Sequence, residues 1–320
     1  MRHLRFVSNV ALAAALMSSA ATDAPAQPVA LDSARLMAEI SALAADSMEG
    51  RRIGTPGGAR ARAYLLQALE RIGVARVADT FSFPFEAKTL TGTVTHGVNV
   101  VGVVHGTLRS DRYIVVSAHY DHLGVRGSEI FHGADDNASG TAGVLALARW
   151  LVAHPAQNSI ILALFDGEES GDLGSRAFVD APPVPLAQII ANVNLDMVGR
   201  NARGELYAAG AAPFPVLKPL LDSTAAVARV KLLLGHDTGT GQDNWIHQSD
   251  QGSFADKQIP FAYFGVEDHP DYHRSTDVVE RIEPGFFFHS VQAVADFLLR
   301  LDRNCDAVAA VRARAVRTAP

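Results

Sequence analysis

The chain has 320 residues, of which 48% are hydrophobic and 19% are charged. This composition excludes a disordered chain and permits a sizeable buried core. With 28 Lys and Arg against 34 Asp and Glu, the net charge of −6 argues against nucleic acid as the main partner. The single cysteine, Cys305, excludes an intrachain disulfide and a thiolate zinc cluster. Any metal site therefore has to use His, Asp and Glu.

The N-terminus has the features of a signal peptide. Two arginines precede an apolar run at 6–17 that is too short to span a bilayer, and residues 24–26 form the cleavage pattern Ala-Pro-Ala. We predict that residues 1–26 are removed and that the mature chain begins at Gln27. No other apolar run reaches the roughly 18 residues that a membrane span needs. The mature protein is therefore expected to be soluble and exported, either to a periplasm or to the medium.

Apolar periodicity along the rest of the chain predicts an α/β fold, because short apolar runs typical of buried strands alternate with helical patterns. The predicted strands cover 79–85, 97–106, 112–121, 159–167, 189–197, 231–235 and 259–266. The predicted helices cover 31–46, 59–72, 139–153, 214–230 and 286–301. This order predicts a three-layer sandwich with a mainly parallel central sheet and helices on both faces. We expect one domain over 27–303 and a flexible tail over 304–320.

Ionisable side chains follow the predicted strands repeatedly. They are His119, Asp121, His122, Asp166, Glu168, Glu169, Asp196, Glu267, Asp268, His269 and His273, and the loop GADDNASG adds Asp135 and Asp136. Taken singly, each could be a helix cap, a solvated acid or an ordinary surface residue. Jointly they indicate a ligand site, because the carboxyl ends of parallel strands meet at one edge of the sheet.

Imidazoles and carboxylates in this number suit two zinc ions, which accept nitrogen and oxygen ligands at about 2.0–2.2 Å. One carboxylate can bridge two ions that lie roughly 3.5–4 Å apart, and water held by such ions has a pKa near 7. A free carboxylate nearby can then accept the proton of that water. Glu168, next to Glu169, is placed for this role.

Five segments in this order resemble motifs of the co-catalytic zinc aminopeptidase family: SAHYDHLG, GADDNASG, FDGEESGDLGS, NLDMVGR and YHRSTD. That family also contains glutamate carboxypeptidase-type enzymes and glutaminyl cyclases. The resemblance runs from about residue 31 to about residue 300. It implies a zinc-dependent exopeptidase with two zinc ions per chain, most directly an aminopeptidase that hydrolyses the N-terminal bond of a peptide with a free N-terminus.

The resemblance also implies a metal-binding role for five residues, which are His119, Asp136, Glu169, Asp196 and His273. Asp136 would bridge the two ions. His119 and Asp196 would complete one site, and Glu169 and His273 would complete the other. Three further histidines match no ligand of the family: His122, His132 and His269.

Catalytic roles follow from the same resemblance. Glu168 would be the general base, and Asp121 would orient the imidazole of His119. Tyr272 lies where some relatives stabilise the oxyanion. The segment SDQGSF departs from the pattern, because Gln251 stands where many relatives have histidine. This departure bears on substrate contacts rather than on the metal site.

Three alternatives stay open at this point. A glutaminyl cyclase would use one zinc and close the N-terminal glutamine into a ring instead of adding water. A carboxypeptidase would need a basic pocket for the terminal carboxylate of its substrate, and Arg126, Arg200 and Arg274 lie near the motifs in sequence. A non-catalytic binding protein on the same scaffold is disfavoured, because such relatives lose metal ligands and this chain keeps all five.

Overall fold

The structure, a computed structural model, describes residues 30–89, 91–239 and 241–318. The predicted signal peptide at 1–26 and the mature terminus at Gln27 lie outside these residues. No helix in the described ranges is both long and apolar enough to cross a membrane.

The strands and helices follow the order that the sequence predicts, with several short additions. The strands are β1 Ala75–Arg76, β2 Ser82–Lys88, β3 Val94–Val104, β4 Arg109–His119, β5 Gly124–Arg126, β6 Glu129–Phe131, β7 Asn158–Phe165, β8 Ile189–Leu195, β9 Glu205–Ala209, β10 Lys231–Leu234 and β11 Phe261–Gly265. The helices are α1 Ser33–Leu43, α2 Pro56–Ile72, α3 Gly140–Ala153, α4 Leu173–Asp180, α5 Lys218–Ala225, α6 Gln251–Asp256, α7 Pro284–Arg303 and α8 Cys305–Thr318.

Within the described ranges, nine strands form one sheet in the order β1-β3-β7-β4-β8-β11-β9-β10, with β2 paired to β3. The four central strands β7, β4, β8 and β11 are parallel to one another. Antiparallel pairs flank them, since β3 runs against β7 and β9 runs against β11. The carboxyl ends of the central strands therefore share one edge, which is where ligand sites form in open α/β sheets.

Strand β7 shows why the central strands are continuous apolar runs in the amino-acid sequence. Its Ile160 and Leu162 pack into the core beneath α1, α2, α3, α5 and α7. Its Ile161 and Phe165 pack on the opposite face, with side chains of α4 and α6. A strand covered on both faces needs apolar residues at every position. The prediction of a three-layer α/β sandwich is confirmed.

Two expectations about helices need correction. The helix expected over 214–230 is shorter, and α5 begins at Lys218 with Pro219 in its first turn. Proline fits there because the first-turn N–H groups have no partner within a helix.

The second correction concerns the segment 304–320, which we expected to be a flexible tail. Residues 305–318 of this segment form α8, in which Cys305 and Val308 are buried. The guanidinium of Arg312 donates a hydrogen bond to the carbonyl oxygen of Lys257 at 2.8 Å. These three residues share one helix face, a spacing that the many alanines and arginines of the segment conceal.

Candidate metal centre

The predicted ligands come together at the carboxyl edge of the sheet. His119 is the last residue of β4, and Asp196 follows directly after β8. Glu169 lies in a 3₁₀ turn after β7, and His273 lies in the loop that follows β11. Asp136 lies in the turn before α3, whose first N–H group, that of Gly140, donates to the side chain of Asn137.

A first cluster forms around the imidazole of His119. Its Nε2 atom lies 3.3 Å from Asp196 Oδ1 and 3.4 Å from Asp136 Oδ1. A second cluster forms around His273, whose Nε2 lies 3.2 Å from Asp136 Oδ2 and 3.2 Å from Glu169 Oε2. The two oxygens of Asp136 thus face different clusters, which is the arrangement that a bridging carboxylate needs.

These separations match the geometry of zinc. Ligand atoms about 2.0–2.1 Å from a tetrahedral ion lie about 3.3 Å from one another. Glu168 also comes within metal-binding reach of His119 and Asp196. Its Oε2 is 4.0 Å from His119 Nε2, longer than that tetrahedral edge, so Asp136 fits the first cluster better. Each cluster has the donor types and the spacing of a zinc site.

Without a metal, the neighbouring carboxylates favour the protonated forms of His119 and His273. Burial lowers the pKa of His119, but Asp196 and Glu168 outweigh it and hold that pKa well above its usual value. Burial likewise opposes the charged form of His273, and hydrogen bonds to Asp136 and Glu169 raise its pKa to about 10. A divalent cation would neutralise the same carboxylates, so metal binding here has to displace protons.

Glu168 lies beside both clusters with its side chain facing the cavity. Its backbone N–H donates to Asp121 Oδ1 at 3.0 Å, which fixes the turn. Burial is the main cause that raises the pKa of Glu168 well above its usual value. A carboxylate that is close to the metal ligands and hard to keep ionised is well placed to accept a proton from an attacking water.

The contact between Asp121 and His119 differs in detail from the expectation. Asp121 Oδ1 is 3.7 Å from His119 Nδ1, which is too long for a hydrogen bond. The closer contact of Nδ1, at 3.2 Å, is with the backbone oxygen of Asp121. The carboxylate is instead tied to the backbone of Glu168. Asp121 therefore links the first cluster to the turn that carries the proposed base.

Tyr272 lies at the cavity wall and stacks on the ring of His273, with ring centroids 3.9 Å apart. The structure thus places it beside the second cluster.

The histidines that match no family ligand fall into two groups. His132 contacts Asp46 at 2.8 Å, and His269 contacts Asp135 at 3.1 Å, both outside the two clusters. His122 belongs to the second cluster, because its Nδ1 lies 2.6 Å from Glu169 Oε1. The motif comparison set His122 aside. Its position three residues after His119, in the same strand-end loop, is the sequence signal that points to it.

Arg51 is a positioning residue that sequence reasoning missed. It is fully buried, and its guanidinium donates to the backbone oxygens of Leu43, Tyr120, His132 and Gly133. These bonds join the loop after His119 to the segment before Asp136. Nothing in the segment EGRRIGTPGG distinguishes Arg51 from its exposed neighbour Arg52.

A cavity of about 280 Å³ opens next to the two clusters. Trp245 and Tyr263 contribute aromatic surface, and Asp172 and Asp268 contribute carboxylates. Gln251, the departure noted in the sequence, lies behind this wall. Its amide accepts from the Asn194 side chain at 3.0 Å and donates to the backbone oxygen of Trp245 at 2.6 Å. Gln251 therefore supports the cavity wall instead of lining it.

A three-layer α/β fold with paired His and carboxylate clusters at the sheet edge provides a candidate site for two metal ions. A sequence model described as peptidase family M28 matches residues 99–298. The chain belongs to peptidase family M28, which confirms the family expected from its motifs.

Known proteins agree with this assignment. Aminopeptidase YwaD of Bacillus subtilis is 35% identical over 113 residues, which cover 34% of this chain and 24% of that protein. The chain spans about a quarter of the length of several curated relatives that it matches.

Two solved structures show the same fold. A zinc aminopeptidase from Bacillus subtilis has a TM-score of 0.68 and 17% identity, covering 85% of this chain and 96% of that one. The glutaminyl cyclase of Porphyromonas gingivalis has a TM-score of 0.70 and 20% identity, covering 88% and 99%.

Proposed function

We propose that the protein is a zinc-dependent exopeptidase that holds two zinc ions and releases the N-terminal residue of a peptide. Two features support a dinuclear centre. Each cluster has its own imidazole and carboxylate at ligand spacing, and Asp136 offers one oxygen to each cluster. The family relatives include a zinc aminopeptidase.

The chain's own groups supply the proton transfers of this reaction. Zinc bound at the two clusters would polarise the scissile carbonyl and lower the pKa of water. Glu168 accepts the proton of the attacking water and returns it to the leaving amine. Asp121 holds the backbone of Glu168 in place, at 3.0 Å.

The charge of the cavity is the observation that favours the N-terminal end of a substrate. Two zinc ions would bring four positive charges, which the three carboxylate ligands and Glu168 together balance. Asp172 and Asp268 then leave the cavity net negative. Such a cavity attracts a free α-ammonium group.

A carboxypeptidase would need a cation for the substrate's terminal carboxylate. Among the described residues that line the cavity there is no Lys or Arg. Arg200, one of the candidates from the sequence, is paired with Asp271 at 2.5 Å. The cavity therefore disfavours this alternative.

A glutaminyl cyclase is the second candidate, because a cyclase shares the fold. The presence of a complete first cluster, with His119 and Asp196, beside the cluster of Glu169 and His273 favours two ions over the single ion that a cyclase would use. Two measurements distinguish an aminopeptidase from a cyclase: the number of zinc ions bound per chain, and whether peptides with N-terminal glutamine are cyclised.

The test of the proposal compares one peptide in three forms: unmodified, N-acetylated and C-amidated. We expect release of the N-terminal residue from the unmodified and C-amidated forms, and no cleavage of the N-acetylated form. Cleavage of the N-acetylated peptide from its C-terminal side would instead establish a carboxypeptidase. Loss of ammonia from a peptide with N-terminal glutamine, without hydrolysis, would establish a cyclase.

We also propose that the protein is exported after cleavage behind residue 26. The support is the order of basic residues, apolar run and Ala-Pro-Ala pattern in the sequence. Mass spectrometry of the exported protein should find Gln27 as the first residue. An intact Met1 in that fraction would refute the cleavage.

A further inference from the structure

His122 lies at the second cluster although the family motifs give it no role. Its side chain is fully buried. Its Nδ1 atom is 2.6 Å from Glu169 Oε1 and 3.6 Å from Asp136 Oδ2. Both of these carboxylates are proposed zinc ligands, and His122, Asp136 and Glu169 each offer a ligand atom within 4.8 Å of the other two.

Several buried polar atoms at this point have no hydrogen-bond partner among the described residues. They are His122 Nδ1, His122 Nε2, Glu169 Oε1 and Asp136 Oδ2. Buried polar groups are nearly always paired, and leaving them unpaired is costly. A cation between the ring and the two carboxylates would satisfy His122 Nδ1 and both oxygens at once.

A direct hydrogen bond is the alternative explanation for the short contact of His122. In that arrangement Nδ1–H would point at Glu169 Oε1 and merely orient the carboxylate. The two atoms lie 2.6 Å apart, yet in the described part of the chain neither makes a hydrogen bond of acceptable geometry. The geometry favours an arrangement in which His122 Nδ1 and Glu169 Oε1 are both ligand atoms of one shared metal ion.

The backbone holds the ring in this position. A Cβ atom on Gly133 would lie 2.5 Å from His122 Cγ, far inside van der Waals contact. Gly133 also has a positive φ of 59°, which suits glycine. The glycine thus leaves space that the imidazole of His122 fills.

We propose that His122 is a ligand of the second zinc ion, in addition to Asp136, Glu169 and His273. This inference rests on the proposed dinuclear centre. His122 and His273 approach the cluster from different directions, with ring centroids 5.9 Å apart. Zinc accommodates a fifth ligand, so a water can still bind. The first ion, with three protein ligands, then keeps the more open coordination.

The test counts imidazoles by zinc-edge X-ray absorption on the full chain loaded with two zinc ions. We expect three imidazoles for the two ions, from His119, His273 and His122. His122→Gln should lower the count by one and weaken the second ion at least about 100-fold in a titration against a chelator. The matched control is His132→Gln, because His132 contacts Asp46 and neither cluster. It should change neither quantity.

The X-ray absorption spectrum of the wild-type protein shows whether His122 is a zinc ligand, even if His122→Gln fails to fold. Two imidazoles for two ions would overturn the role of His122 and leave the dinuclear proposal standing. Weaker zinc binding by His122→Gln would not rescue the proposal in that case, because loss of a residue that only orients Glu169 also weakens zinc binding. Fewer than two ions in the wild type would overturn both proposals.

Discussion

The two clusters differ in how the fold builds them. In the first cluster, His119 and Asp196 lie at the ends of adjacent strands. The His119 side chain is 1% exposed and the Asp196 side chain is 10% exposed. The second takes Glu169 from a turn and His273 from a long loop, and 39% of the His273 side chain is exposed. The sheet thus fixes the first cluster directly, while the second depends on how loops are held above it.

This contrast explains what Asp136 contributes. It is the one predicted ligand with an oxygen on each side, so it couples the cluster fixed by the sheet to the cluster fixed by loops. Variants at the shared ligand and at the separate ligands should therefore behave differently.

Substitution of the shared ligand should have the largest effect. Asp136→Asn weakens both sites, so we expect zinc content to fall below one ion per chain and activity to fall to that of the metal-free protein. Asp196→Asn should instead cost only the ion at His119. Elemental analysis of the dialysed variants measures this. Two retained ions in Asp136→Asn would show that the clusters do not share this carboxylate.

Substitutions of the adjacent residues Glu168 and Glu169 should have different effects, one on proton transfer and the other on metal binding. Glu168→Gln keeps the shape but loses the proton acceptor, so kcat should fall about 10²–10⁴-fold with both ions retained. Glu169→Gln should instead release the ion of the second cluster. Zinc content measured beside kcat tests both variants. If Glu168→Gln empties a site while Glu169→Gln only slows turnover, the two roles are reversed.

Substitution of Arg51 should lower the stability of the fold, because its hydrogen bonds hold the backbone around the first cluster. Burial lowers its pKa to about 10, so it stays charged at neutral pH. Arg51→Met leaves three buried carbonyl oxygens and one partly buried one without their donor, and we expect a loss of at least about 3 kcal/mol in the free energy of unfolding. Denaturant unfolding measures it. Arg52→Met, at an exposed position, should stay within about 0.5 kcal/mol, and equal losses would contradict the account.

Zinc affinity should depend on pH at both clusters, because each contains an imidazole whose pKa is raised in the metal-free protein. In the metal-free protein His273, with a pKa raised to about 10, is protonated at neutral pH. Zinc has to displace that proton, so affinity rises with pH, by about tenfold per pH unit for each proton released. Calorimetry in buffers of different ionisation heat counts the protons. An affinity independent of pH between 6 and 9 would contradict the assigned protonation.

Sequence patterns were sufficient for the architecture and for bringing five ligands to one edge. Strand β7 is apolar at nearly every position because both of its faces are covered, and parallel strands place their ends together. Arg51 was missed because its partners are backbone oxygens, which leave no trace in side-chain patterns. Trp245 was missed because its place in the cavity wall depends on how its loop folds. The position of the His122 ring depends on close packing against Gly133, which the family motifs do not show.

The central claim is that two zinc ions, coupled through Asp136, support hydrolysis at the N-terminus of a peptide. The most direct test titrates the metal-free protein with zinc and follows release of the N-terminal residue on the same samples. We expect no turnover without zinc and a rate that reaches its plateau at two bound ions per chain. Full activity in the zinc-free protein would contradict it.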